Sequence, residues 1–184
     1  MTDPALDPAA SRAAFDALLA IARRLEAVDR LSASAPGSAD PAAEEPLLTA
    51  VARTATVVLE AQAASIALHH PADDRLVFVA AAGPAAGEIV GLGIDASAGI
   101  AGYAFSTGQP LAVADVAADP RFDRTIAEAT GYVPRSLLAT PLVDEQGTLG
   151  VLEVLDRRDG SFSLRDLDMA ATLAAEATII VRRS

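Results

Sequence analysis

The stretch from Ser97 to Asp166 leaves fewer folds open than any other part of the chain. It reads SAGIAGYAFSTGQPLAVADV, then DPRFDR, PRSLLATPL, GTLGVLEVLDR and FSLRD. Ser97 is placed to cap a helix of small residues, and Gly108 followed by Pro110 ends it. Leu111–Val116 reads as a strand. Asp119-Pro120 opens a short helical crossover around Phe122, and Gly131 closes it. Leu137–Leu142 and Leu149–Leu155 are two apolar strands joined by a turn at Glu145-Gln146-Gly147. Ser163 with Asp166 approximates a capping box, and Phe162 with Leu167 suits a hydrophobic staple.

The residues before this stretch extend the same architecture. A helix is expected to start at Pro46, with Glu44 and Glu45 at its positive end and Leu47, Val51, Val58 and Leu59 turned to the core. Ala64–His69 and Leu76–Ala82 read as strands joined through Pro71, Asp73 and Asp74, and Leu92–Ala96 as a short third strand. In the last helix Leu164, Leu167, Ala171, Ala174, Thr178 and Val181 repeat at about 3.5 residues, which predicts the buried stripe. These elements make an α+β fold, an antiparallel sheet of about six strands. Terminal helices cover one face and a crossover closes a cavity on the other.

Two further segments precede this domain, which is expected over residues 46–184. Residues 1–31 predict a helix with Leu18, Ile21, Leu25 and Val28 on one stripe. Residues 32–45 (SASAPGSADPAAEE) read as a flexible linker, too small and polar to bury much surface.

Composition narrows the function. The formal net charge of −11 argues against nucleic acid, which needs a cationic face. All 14 basic residues are arginine, which removes Schiff-base chemistry and a phosphate-binding P-loop lysine. The chain has no cysteine, so disulfides, thiolate nucleophiles and thiolate metal sites are excluded. No apolar run is long enough to span a membrane, and the acidic N-terminus is no signal peptide, so the cytoplasm is expected. His69 and His70 point to opposite faces of a strand and cannot share a metal. Gly91-Leu92-Gly93 lacks the third glycine of a dinucleotide fingerprint. With no Ser-His-Asp set either, the reading is of a chain that is not an enzyme and that carries no cofactor or metal.

The residues quoted above resemble the GAF domain, a ligand-sensing relative of the PAS domain, over about Leu47 to Val181. Some GAF-like proteins reduce free methionine sulfoxide with cysteines, and phytochrome-type ones attach a bilin through one; this chain can do neither by those routes. Cyclic-nucleotide-binding members carry Asn-Lys, then Phe, three residues, then Asp-Glu. The matching positions here are Asp156-Arg157, Phe162, Asp166 and Leu167, so the Asn and Glu are lost while Arg157 can still pair with Asp166.

The resemblance implies a pocket between the sheet and the segments closing over it. Its walls would be Ser97, Gly99 and Tyr103 from one helix, Arg121, Phe122 and Ile126 from the crossover, and Tyr132, Arg135 and Ser136 beyond it. Free N–H groups near Gly99, with Arg121, Arg124 and Arg135, suit a small anionic ligand. Each residue also has a plainer role: Phe122 as a core plug, Arg135-Ser136 as hydrogen-bonding partners of a neighbouring loop, Gly99 as a packing allowance. The expected function is a homodimeric, non-enzymatic sensor of a small molecule that relays through its paired terminal helices. The chain holds no kinase, cyclase or helix-turn-helix segment, and it stops with the last helix still running. A separate output protein, or a longer parent chain, is therefore expected. The alternative is a ligand-free dimerisation or adaptor module.

Overall fold

A computed structural model of the chain describes residues 41–183. The expected helix over 1–31 and most of the expected linker lie outside them. Helix α1 (Pro41–Val58) leads to strands β1 (Ala61–His70) and β2 (Arg75–Ala82). Next come the short helix α2 (Ala86–Ile89), β3 (Gly93–Asp95), α3 (Gly99–Thr107) and β4 (Leu111–Val113). A 3-10 turn (Val116–Ala118) precedes α4 (Thr125–Thr130), β5 (Leu137–Asp144), β6 (Gly147–Arg157) and α5 (Leu164–Arg183). The six strands form one sheet in the order β3-β2-β1-β6-β5-β4. Every neighbouring pair is antiparallel.

Both faces of the sheet are covered, which is why its central strands are apolar almost throughout. On one face, Leu48, Val51, Ala55 and Leu59 from α1 and Ala170, Leu173 and Ala177 from α5 pack with Ile66, Leu152 and Val154. On the other, Ile100, Ala101 and Ala104 of α3 pack on Phe78, Ile94, Leu137 and Val151. Alternation along β6 therefore sends Leu152 and Val154 to the helices and Val151, Glu153 and Leu155 to the opposite face.

Three expectations change. Helix α1 begins five residues earlier than Pro46, at Pro41, so residues 41–45 are helical and not linker. Both prolines suit a first helical position, and the outer one holds it. Ser97 does not cap α3. The N-cap is Ala98, with no side-chain bond, while the Ser97 N–H and hydroxyl both donate to Asp95 Oδ1, at 2.9 and 2.5 Å.

The buried stripe of α5 also changes in part. Leu164 is 81% exposed and Ala171 is exposed, but Ala174 and Thr178 are buried and Leu167 and Val181 pack on the core as expected, joined there by Asp166, Ala170, Leu173, Ala177 and Ile180. An ionic anchor fixes the start of the helix. Arg157 Nη1 donates to Asp166 Oδ1 at 3.0 Å, and the Ser163 N–H and hydroxyl donate to Asp166 Oδ2 at 2.6 and 2.8 Å. These bonds hold Asp166 inward at the first turn of α5. Asp166→Asn keeps an acceptor for Ser163 but removes the charge facing Arg157. It is expected to cost about 1–2 kcal/mol, read as a lowered urea midpoint. An unchanged midpoint would show that hydrophobic burial alone orients α5.

Candidate functional site

Beneath the segment from Asp119 to Ser136, on the sheet face away from α1 and α5, lies a cavity of about 90 Å³. That is room for several water molecules or a small organic ligand. Its floor is Ser65 on β1, Phe78 on β2, Leu137 on β5 and Glu153 and Leu155 on β6. Its roof is Phe122, Asp123, Ile126 and Thr130, with the Tyr132 ring at one side and Gly99 and Ile100 of α3 at another. The walls are mostly hydrocarbon, the usual character of a small-molecule site.

The roof is fastened at both ends. At its start, Asp119 accepts from the Arg121 N–H and Nε at 2.9 Å each and from Nη2 at 2.6 Å. The guanidinium holds the Asp119 carboxyl down to about 2. Arg121 also lies 4.6 Å over the Tyr103 ring, a cation–π contact tying the roof to α3. Gly99, at the start of α3, faces the same segment. With φ +71 it occupies a backbone region costly to other residues, and a Cβ there would meet the Asp123 Cβ at 3.4 Å.

At the far end a single buried carboxylate latches the roof to β6. Asp156 accepts from the Tyr132 hydroxyl at 2.6 Å, the Arg135 N–H at 2.7 Å and the Ser136 N–H at 3.2 Å. Ser136 returns the favour through its carbonyl, which accepts from the Asp156 N–H at 2.8 Å. Asp156 adopts φ 56, a left-handed conformation that Asp tolerates better than most residues. Burial and the Asp156 carboxylate push the Tyr132 phenol well above its usual range, so it stays a neutral donor.

Of the residues expected at a ligand, the fold brings Gly99, Phe122, Ile126 and Tyr132 to the cavity wall. Phe122 also packs on the second core, so plug and wall are one role. Ser97 and Tyr103 are exposed and lie outside the cavity, as does Arg121. Arg135 is exposed and Ser136 is buried within the latch, in keeping with hydrogen bonding to a neighbouring segment. Among the described residues no arginine lines the cavity, and its charged side chains are Asp123 and Glu153. Just ahead of α3, the Ser97 N–H is taken up by the Asp95 carboxylate.

The residue that sequence reading missed is Glu153. It is only 7% exposed, and burial pushes its carboxyl up to about 7, with the nearby Ser65 hydroxyl opposing slightly. Ser65 is its cross-strand partner, yet the Ser65 Oγ has no partner at hydrogen-bonding distance. The signal available was one charged residue inside the apolar run Leu149–Leu155.

The family model of the GAF domain matches residues 43–181. The chain belongs to the GAF domain family. Among curated proteins, a probable 3',5'-cyclic phosphodiesterase, pde-5 of Caenorhabditis elegans, is 35% identical over 74 residues. That match covers 40% of this chain and spans only 10% of the length of the relative. Among solved structures, the GAF domain of a phosphoenolpyruvate-protein phosphotransferase from Coxiella burnetii superposes with a TM-score of 0.71 at 20% identity. It covers 92% of this chain and 94% of that one. Free methionine-R-sulfoxide reductase of Neisseria meningitidis, solved with its substrate, superposes with a TM-score of 0.65 at 20% identity, covering 89% and 91% of the two chains. These likenesses establish the GAF fold. Among the described residues, no helix is long and apolar enough to cross a membrane.

Proposed function

We propose that this GAF domain is a non-enzymatic, cytoplasmic sensor. On this reading it binds a small molecule in the cavity under residues 119–136 and reports occupancy through its terminal helices to a separate output protein. The observation that carries the reading is the adjacency of two anchors on β6. Asp156 holds the roof of the cavity, and its neighbour Arg157 holds α5 through Asp166. A ligand that lifts or tightens the roof therefore acts one residue away from the contact that anchors the start of α5.

Pairing of two copies through the helices supplies the second half of the proposal. Val57 on α1 and Ile179 on α5 are 46% and 43% exposed, apolar side chains that a partner would cover. Native mass spectrometry on freshly purified full chain, set against the denatured mass, tests both parts. A dimer carrying a discrete adduct is expected. A dimer without adduct would turn the reading to an adaptor that binds a protein partner, and a bare monomer would remove the helix-pairing relay.

A further inference from the structure

Among the described residues, three carboxylates are buried, and they differ in how they are satisfied. Asp156 accepts two backbone N–H groups and a phenol. Asp166 faces Arg157 and the Ser163 cap. Glu153 has no cation and no backbone N–H, and its neighbour Ser65 is itself without a hydrogen-bond partner. Both side chains stand on the cavity floor, opposite one another across the β1–β6 ladder. A buried carboxylate left unpaired costs far more than a buried methyl group, unless something else supplies its counter-charge.

We propose that the cavity selects a short, mostly apolar ligand carrying a protonated primary amine, with the Glu153 carboxylate as counter-ion and the Ser65 hydroxyl as a second acceptor. Phe78, Ile94, Ile100, Phe122 and Ile126 would surround its hydrocarbon part. This inference rests on the pocket reading above and replaces the anionic ligand that the sequence suggested. A carboxylate or phosphate would enter a cavity whose charged groups are Asp123 and Glu153, with no arginine on its wall.

The other groups facing this point do not titrate with it. Asp123, from the roof, accepts from the Thr125 hydroxyl and N–H at 2.6 and 2.8 Å, which hold its carboxyl low. Tyr132 stays neutral for the reason given above. From β1 only Ser65 contributes a polar side chain, and from β2 none lines the cavity. Amine binding should therefore follow the ionisation of Glu153 alone.

The experiment compares isoamylamine, isoamyl alcohol and isovalerate, three probes of nearly one shape, by heteronuclear NMR titration of the full chain at pH 8. The amine is expected to bind saturably at the cavity, at least tenfold more tightly than the alcohol, with isovalerate weakest. In Glu153→Gln the amine should fall to the level of the alcohol, and in Ser65→Ala it should weaken severalfold. Should Glu153→Gln fail to fold, the native protein decides. Its affinity for the amine should drop at least tenfold between pH 8 and pH 5.5 while that for the alcohol stays flat. Isovalerate binding as well as the amine, or an amine affinity indifferent to Glu153 and to pH, would overturn the amine assignment while leaving a working pocket. Failure of all three probes to bind would overturn the pocket reading together with it.

Discussion

Asp156→Ala is expected to destabilise the protein by about 4 kcal/mol and to free the roof of the cavity before the rest unfolds. The substitution removes the acceptor of three hydrogen bonds, and bonds to a charged acceptor contribute about 1.5–3 kcal/mol each, less than additively. It also places alanine at φ 56, which adds about 1 kcal/mol of backbone strain. Asp156→Asn separates these effects. It tolerates the same backbone and keeps one acceptor for the N–H groups of Arg135 and Ser136, so its cost should be about half. Arginines 121, 124 and 135 place trypsin sites in and beside the roof. Digestion after Arg124 and Arg135 should be much faster in Asp156→Ala than in the native chain under conditions where both remain folded. Equal digestion rates would mean that the roof is held by apolar contact with the sheet and that the latch is incidental.

Glu153→Gln is expected to act in the opposite direction. With the folded carboxyl at about 7 against 4.5 for a free one, the native state holds a proton that the unfolded chain has released. Below about pH 4.5 the group is neutral in both states and contributes nothing. As pH rises toward 7 the unfolded chain gains its charge freely while the folded one resists, so stability falls, and the loss levels off above that point. A shift of this size corresponds to roughly 3 kcal/mol at pH 8. Glutamine has no such penalty but leaves an amide to be satisfied, so the variant should be about 2 kcal/mol more stable at pH 8 and about equal near pH 4.5. Urea unfolding of both proteins at the two pH values measures this. Carboxylates held low elsewhere, such as Asp119, weaken both proteins alike in acid and cancel from the difference. Parallel behaviour of the two proteins would show that Glu153 is ionised and well solvated in the fold. A side chain whose removal strengthens the fold is one that stability alone would not retain, which directs attention to what it binds.

Most of the scaffold was legible because its signals are local. Gly108 and Gly131 end α3 and α4 with φ 64 and 68, as the glycine positions implied. The hairpin at Glu145-Gln146-Gly147 closes where expected, with Asp144 accepting from the N–H groups of Gln146 and Gly147. What could not be read depends on partners distant in sequence. The inward turn of Asp166 at the start of α5 depends on Arg157, nine residues before it, which the spacing of the helix's own apolar residues does not reveal. Tyr103 and Arg121 looked like ligand groups as separate residues, but they are spent on each other. Glu153 was hidden by the opposite effect. A strand buried on both faces reads as a uniform apolar run, and only the register against Ser65 shows which face the one charge within Leu149–Leu155 occupies.

The sheet is bounded by β3 and β4, strands of three residues each. Edges so short offer another chain few free backbone donors and acceptors, and thus little template for adding a strand. Arg75 reaches across one of these edges to the Gly93 carbonyl, occupying part of what is left. Lateral growth of the sheet, the common route from an alanine- and valine-rich chain to aggregates, therefore finds little purchase at either margin.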